Sequence, residues 1–285
     1  MLDAQAIRLM PRVMRASWPG PASQATAAAA APGAAPLLEV SELRCSFGGV
    51  QAVAGASFAV RTGTLTGLIG PNGAGKSTVI NIIGGQVRPT AGTVRFDGHP
   101  IGGMAPHDIS RAGITRTFQT ANVFGRLTVL ENLLLGAPHW RGETLRAALT
   151  GKWLWRRNEA ALIDKAQAIL ERFGLTRLQN EYAGELSGGQ RRLVEIMRAL
   201  MAEPKLLLLD EPMAGINPSL ARSIADMLAQ LRDEGMTMVM VEHDLHLVDL
   251  LCDPVICMVW GRVLAEGSMV DLRRNREVIN AYLEG

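Results

Sequence analysis

The chain has 285 residues with 29 basic and 27 acidic side chains, and a formal charge of +2 gives no bulk attraction for nucleic acid or for an acidic partner. That length is enough to bury a sizeable core as one large domain or two small ones, and the apolar content is ordinary for a soluble protein. No apolar run approaches the roughly 18 to 20 residues that cross a bilayer as a helix, so any membrane role needs another chain to span it. Cys45, Cys252 and Cys257 form no C-x-x-C pair and have no histidine at zinc-like spacing; they read as buried thiols in a reducing compartment.

Residues 1–36 are set apart by composition, with the low-complexity run QATAAAAAPGAAP from Gln24 to Pro36. This stretch lacks the periodic apolar face that would offset the entropy of ordering it, and it reads as a disordered extension or an over-long start. Arg8, Arg12 and Arg15 ahead of the alanines suggest a targeting segment instead, but no strongly apolar signal follows them.

From Leu37 the pattern changes to short strand-like runs, LLEVSELRCSF and VAGASFAV, separated by the turn signal Gly48-Gly49. Phe47 lies at their junction, either as a flat surface for stacking on an adenine ring or as a sheet-packing aromatic. Leu65 to Ile69 then predicts a buried strand, Thr78 to Ile83 the start of a helix, and between them stands GPNGAGKST, Gly70 to Thr78. Gly70, Gly75, Lys76 and Ser77 occupy every fixed position of G-x-x-x-x-G-K-[ST], a phosphate-binding loop. A triphosphate needs several donors crowded on one anion, which only a glycine-rich turn permits, here through Gly70, Gly73 and Gly75. Lys76 brings a point charge to the outer phosphates and the Ser77 hydroxyl is placed to ligand Mg²⁺. Pro71, Asn72 and Ala74 complete the loop.

Thr93 to Phe96 reads as a strand closed by Asp97-Gly98, and Ile114 to Phe118 as a strand ending at Gln119. From Val129 to about Ala183 the pattern is largely helical, with Leu162, Ala166, Ile169, Leu170 and Phe173 at helical spacing. Trp140, Trp153 and Trp155 in this region read as packing or interface residues. ELSGGQRRLVEIMRALMAEP follows, a Ser-Gly-Gly turn opening a helix whose N-terminus is a second anion-binding feature. LLLLDEP, Leu206 to Pro212, predicts a buried strand that delivers two carboxylates at its C-terminal end, where ligands of open α/β sheets gather. Beyond it the chain alternates helix Pro218 to Glu234, strand Thr237 to Glu242, helix Asp244 to Leu251, strand Pro254 to Val259, a hairpin around Gly261 and two short helices.

A phosphate loop, then Gln119, then LSGGQ from Leu186 to Gln190, then LLLLDE, then His243 in VEHD: in that order the chain resembles the ATP-binding subunit of an ABC transporter over about residues 37 to 285. The resemblance implies an α/β fold, a P-loop NTPase domain with a mixed sheet core, an antiparallel β subdomain and a helical subdomain at about residues 120–190. It implies that Gly70, Pro71, Asn72, Gly73, Ala74, Gly75, Lys76, Ser77 and Thr78 bind the phosphates of ATP, that Phe47 is the adenine platform, and that Ser77, Asp210 and Gln119 surround Mg²⁺ directly or through water. Glu211 is then the general base on the attacking water, and His243 holds the γ-phosphate. Two such domains sandwich two ATP molecules, with Ser187, Gly188, Gly189 and Gln190 of one capping the nucleotide on the other.

FGGVQAV, ITRTFQTANVFGRLTVLENLL, EPMAGINP and the ending VINAYLEG look like the larger ATPase of the branched-chain amino acid importer group; related urea, amide and lipopolysaccharide ATPases share parts of the pattern. Asn217 stands where many members have aspartate, which leaves the inter-subunit signalling residue open. The implied partners are two transmembrane permease subunits, a second ATPase that is a shorter paralogue or else another copy, and indirectly a substrate-binding protein; the implied place is the cytoplasmic face of the inner membrane. A soluble ABC-type ATPase acting on DNA or ribosomes is the competing class, but such proteins carry two nucleotide domains or a long coiled coil, and neither is present here.

Overall fold

The computed structural model describes residues 35–117, 122–137 and 152–284. Expectations for residues 1–34 of the extension, for Phe118 and Gln119, for Trp140 and for the side chains of Trp153 and Trp155 lie outside the described residues.

Two sheets organise the rest. The first has the order β2-β1-β4-β5, built from β1 (Leu38–Phe47), β2 (Val50–Val60), β4 (Ala91–Phe96) and β5 (His99–Pro100), with every pairing antiparallel. The second has the order β10-β9-β3-β8-β7-β6, from β3 (Leu65–Ile69), β6 (Ile114–Arg116), β7 (Leu206–Asp210), β8 (Thr237–Val241), β9 (Val255–Val259) and β10 (Arg262–Gly267). Its pairings are parallel except at β10, which turns back antiparallel on β9, so the sheet is mixed. All five residues of β3, β7, β8 and β9 are buried, as continuous apolar runs covered on both faces require.

Because β3, β7 and β8 are parallel neighbours, the segments that leave their C-terminal ends meet along one edge of the sheet. Those segments are the Gly70–Thr78 loop, Glu211 and His243. Opposite faces of the sheet divide the core. Leu68, Leu206, Leu208, Val239 and Val241 pack with the helix α1 (Lys76–Ile83) and the antiparallel sheet. Leu207, Leu209, Met238 and Met240 pack with the later helices.

Several boundaries differ from the sequence expectation. β6 is described over three residues only. The pair His99–Pro100 is too short to show a period. The helix α2 (Pro106–Ala112) has seven residues, with Pro106 in its first turn and Gly113 in the left-handed conformation (φ 107°) closing it. Ala166, Ile169 and Leu170, expected on one helical face, are buried in the helix α4 (Lys152–Arg172), which follows α3 (Val129–Leu134). All three cysteines are free and buried. Among the described residues, no helix is long and apolar enough to cross a membrane.

Candidate functional site

The loop after β3 is shaped by its glycines. Gly70 has φ 148°, and a Cβ there would stand 2.1 Å from the Met258 carbonyl oxygen; at Gly75, φ 96°, it would stand 2.4 Å from that of Ala52. Any side chain at either position collides with backbone. Gly73, in contrast, has φ 78° and open space beyond it, and it is exposed together with Asn72 and Ser77, while Ala74 and Lys76 are buried. The loop therefore has a packed inner side and an open outer side. Its own backbone bonds are few: Ala74 N–H donates to Pro71 and Val79 N–H to Gly75. The first-turn N–H groups of Lys76, Ser77 and Thr78 precede any intrahelical acceptor and form the positive end of α1.

Lys76 Nζ donates to the carbonyls of Gly70 at 2.6 Å and Pro71 at 2.9 Å, so the ammonium sits inside the curl of the loop. Burial pushes its pKa down from the ordinary value, while the charges of Glu211, Cys257 and Asp210 act the other way. The two carboxylates predicted from LLLLDE are thus electrostatic neighbours of the loop lysine.

Asp210 closes β7 and is buried; its Oδ2 lies 2.7 Å from Arg116 Nη2. Glu211 follows with φ 46°, an uncommon conformation for a residue with a side chain, and its N–H is fixed on Val241 O at 3.0 Å. That turn aims Glu211 across the strand ends, where its Oε1 lies 2.6 Å from Nε2 of His243. Next to His243, Glu242 is buried and accepts the N–H of Met213 at 3.0 Å and of His243 at 3.2 Å, which ties the two strand-end segments together. Burial raises the Glu242 pKa, those two hydrogen bonds oppose the rise, and the Glu211 charge adds to it.

Ser187 and Gln190 form a reciprocal cap on the helix α5 (Gly188–Met201): Gln190 N–H donates to Ser187 Oγ at 3.3 Å and Ser187 N–H to Gln190 Oε1 at 2.9 Å. Ser187 and Gly188 are exposed, whereas Gly189 is packed so closely that a Cβ would stand 2.1 Å from Leu220 Cδ2. Among the described residues, no hydrogen bond joins this turn to Gly70–Thr78 of the same chain. Phe47 sits half-exposed at the end of β1. Asn217 caps the helix α6 (Pro218–Asp233), its Oδ1 accepting from Leu220 N–H at 3.0 Å and from Ser219 Oγ at 2.8 Å.

Two arginines escaped the sequence reading. Arg192 in α5 is buried, pairs with Glu195 at 2.7 Å, and donates to the carbonyls of Asp210, Glu211 and Pro212 at 2.6, 2.8 and 3.2 Å. It locks the helix behind the SGGQ turn to the carboxylate segment. Arg116 reaches Asp210 from β6. Arg116 belongs to no spacing rule, and although Arg192 and Glu195 stand at i and i+3 of one helix, the carbonyl partners of Arg192 come only through the fold.

A family model described as ABC transporter matches residues 53–214. The high-affinity branched-chain amino acid transport ATP-binding protein BraF of Pseudomonas aeruginosa is 40% identical over 87% of this chain and 98% of its own length. The high-affinity branched-chain amino acid transport ATP-binding protein LivG of Escherichia coli K12 is 38% identical over 87% of this chain and 98% of its own. Among solved structures, an ATP-binding cassette of an ABC transporter in its ADP conformation superposes with a TM-score of 0.76 at 37% identity, covering 88% of this chain and all of that one. With this match over most of its length, the chain belongs to the ABC transporter ATP-binding family and is an ABC-type ATPase.

Proposed function

We propose that the chain binds ATP with Mg²⁺, hydrolyses it, and energises the import of branched-chain amino acids through membrane subunits. The observation that carries the reading is the convergence of the Gly70–Thr78 loop with Asp210 and the Glu211–His243 pair, in a chain this similar to BraF and LivG. The candidate metal donors Ser77 and Asp210 offer only oxygen, and so does Gln119, which lies outside the described residues; that donor set suits a hard divalent cation. When bound, Mg²⁺ would supply positive charge to the terminal phosphates.

In this reading the open side of the loop receives the phosphates, the N–H groups of Lys76, Ser77 and Thr78 donate to them, and Lys76 supplies the fixed cation. Phe47 offers its exposed ring to the base. Glu211 accepts the proton of the attacking water, and His243, bonded to Glu211, holds that carboxylate in place and meets the γ-phosphate. The exposed Ser187–Gly188 end of α5 has no partner in its own chain's loop, which fits a role toward the nucleotide of a second ATPase subunit. The partners proposed are two permease subunits and a second ATPase, with the complex at the cytoplasmic face of the membrane. Within the chain, residues 37–285 form the ATPase domain, with the helical region around 120–190 carrying motion to the permeases.

The test is uptake of labelled leucine in the native cell carrying Lys76→Ala at normal expression, with urea and a short amide run alongside. Loss of leucine uptake alone supports the assignment. Loss of urea or amide uptake with leucine uptake intact moves the chain to a sister transporter, and unchanged uptake of all three contradicts it.

A further inference from the structure

We propose that Arg116 is a resident counter-cation for Asp210, a positioning residue that sets how strongly nucleotide binding depends on Mg²⁺. The inference rests on the reading of Asp210 as the carboxylate that faces the metal.

The geometry is that of a built pair. The Arg116 and Asp210 side chains are 12% and 5% exposed, and Arg116 Nη2 lies 2.7 Å from Asp210 Oδ2. The other terminal nitrogen, Nη1, donates to the side chains of Asn81, on the helix that follows the phosphate loop, and Gln86, just beyond that helix. One guanidinium therefore spans β6, α1 and the end of β7. Lys76, the other cation near Asp210, has its ammonium on the carbonyls of Gly70 and Pro71. Among the described residues, Arg116 is the cation in direct contact with this carboxylate.

A buried carboxylate without a counter-charge is costly. Arg116 Nη2, 2.7 Å from Oδ2, holds the Asp210 carboxylate in one orientation before any metal arrives. The same charge then opposes a divalent cation approaching that carboxylate. Arg116 also lines an open groove of about 480 Å³ with Arg111, Phe124, Glu195 and Arg198. A fixed cation that must be displaced or endured raises the Mg²⁺ concentration at which nucleotide binding is strengthened.

The experiment measures ADP affinity of the full chain by calorimetry in excess MgCl₂ and in EDTA, and takes the ratio of the two. Arg116→Met, which keeps the volume and removes the charge, is expected to raise that ratio about tenfold over wild type, the size of one screened charge interaction lost. Arg116→Lys, which keeps a cation, should stay within about twofold. A ratio in folded Arg116→Met equal to or below the wild-type value overturns the inference. Should Arg116→Met be too unstable to titrate, the melting temperature of Arg116→Met/Asp210→Asn is compared with that of the single variant. Recovery in the double variant supports the pair as the reason for the instability, and no recovery overturns it. An Asp210→Asn protein with the wild-type ratio would show that Asp210 does not face the metal, which removes the underlying reading and the inference with it.

Discussion

Replacing Arg192 by methionine removes a cation that is 3% exposed and pairs with a Glu195 that is 2% exposed. The guanidinium bonds Glu195 at 2.7 Å and the carbonyls of Asp210, Glu211 and Pro212 at 2.6, 2.8 and 3.2 Å. Breaking a buried ion pair from one side costs about 3–5 kcal/mol, because the remaining charge stays in a poor solvent. The three carbonyls add less, since each has a second lone pair and some relaxation is available. For a domain of this size 1 kcal/mol moves the melting temperature by roughly 2–4 °C, so the expected fall is about 6–20 °C. Thermal unfolding of the purified full chain in EDTA measures it without nucleotide stabilisation. Glu195→Leu added to Arg192→Met should recover part of the loss, because it removes a buried charge that has lost its closest cation. A fall of less than about 2 °C for Arg192→Met would refute the claim that this side chain fastens the SGGQ helix to the carboxylate segment.

Gly70→Ala should melt well below wild type or fail to accumulate, since its Cβ would stand 2.1 Å from the Met258 carbonyl oxygen; a melting temperature within about 2 °C of wild type would show that the loop can relax around it. Burial lifts the Glu242 carboxyl above its ordinary value of 4.5, so the folded chain holds that proton more tightly than the unfolded one. Its contribution to stability is complete below pH 4.5 and is lost as the pH climbs through the folded pKa, and Glu242→Gln should flatten that part of the melting-temperature profile. Parallel profiles for the two proteins would contradict the assignment. Ser187→Arg places a bulky cation on the exposed helix end and should lower steady-state ATPase activity in the assembled transporter by about 10²-fold while leaving ADP binding to the isolated chain unchanged. Wild-type turnover in that assembly would mean that this turn lies outside the working site.

Much of the site could be read from sequence because its chemistry demands residue types at fixed spacing. Gly70, Gly75, Lys76 and Ser77 are such positions, and the collisions a Cβ would meet at Gly70 and Gly75 give the physical reason. The strands Leu206–Asp210 and Thr237–Val241 were visible as unbroken apolar runs, which only strands buried on both faces tolerate. Arg116 and Arg192 were not visible. In sequence they are ordinary charged residues, and the partner that gives Arg116 its meaning lies 94 positions away. Local pattern does not carry that distance. The helix Pro106–Ala112 was missed for a different reason: seven residues are too few for a period to show, although Pro106 at its start and Gly113 at its end were usable signals. Asn217, left open as a signalling residue, proves to be a helix cap with its side-chain oxygen fully engaged.

Glu211 as the base is tested most directly by a paired ATP-binding and single-turnover hydrolysis assay on Glu211→Gln in the presence of Mg²⁺, using the chain assembled with its transporter partners. The substitution keeps the size of the side chain and an oxygen that can still meet His243, but removes the proton acceptor. ATP binding within about threefold of wild type, together with a loss of hydrolysis of about 10²–10⁴-fold, is the expected outcome. Hydrolysis at the wild-type rate would contradict it, because the carboxylate placed by the turn after β7 would then have no part in activating the water.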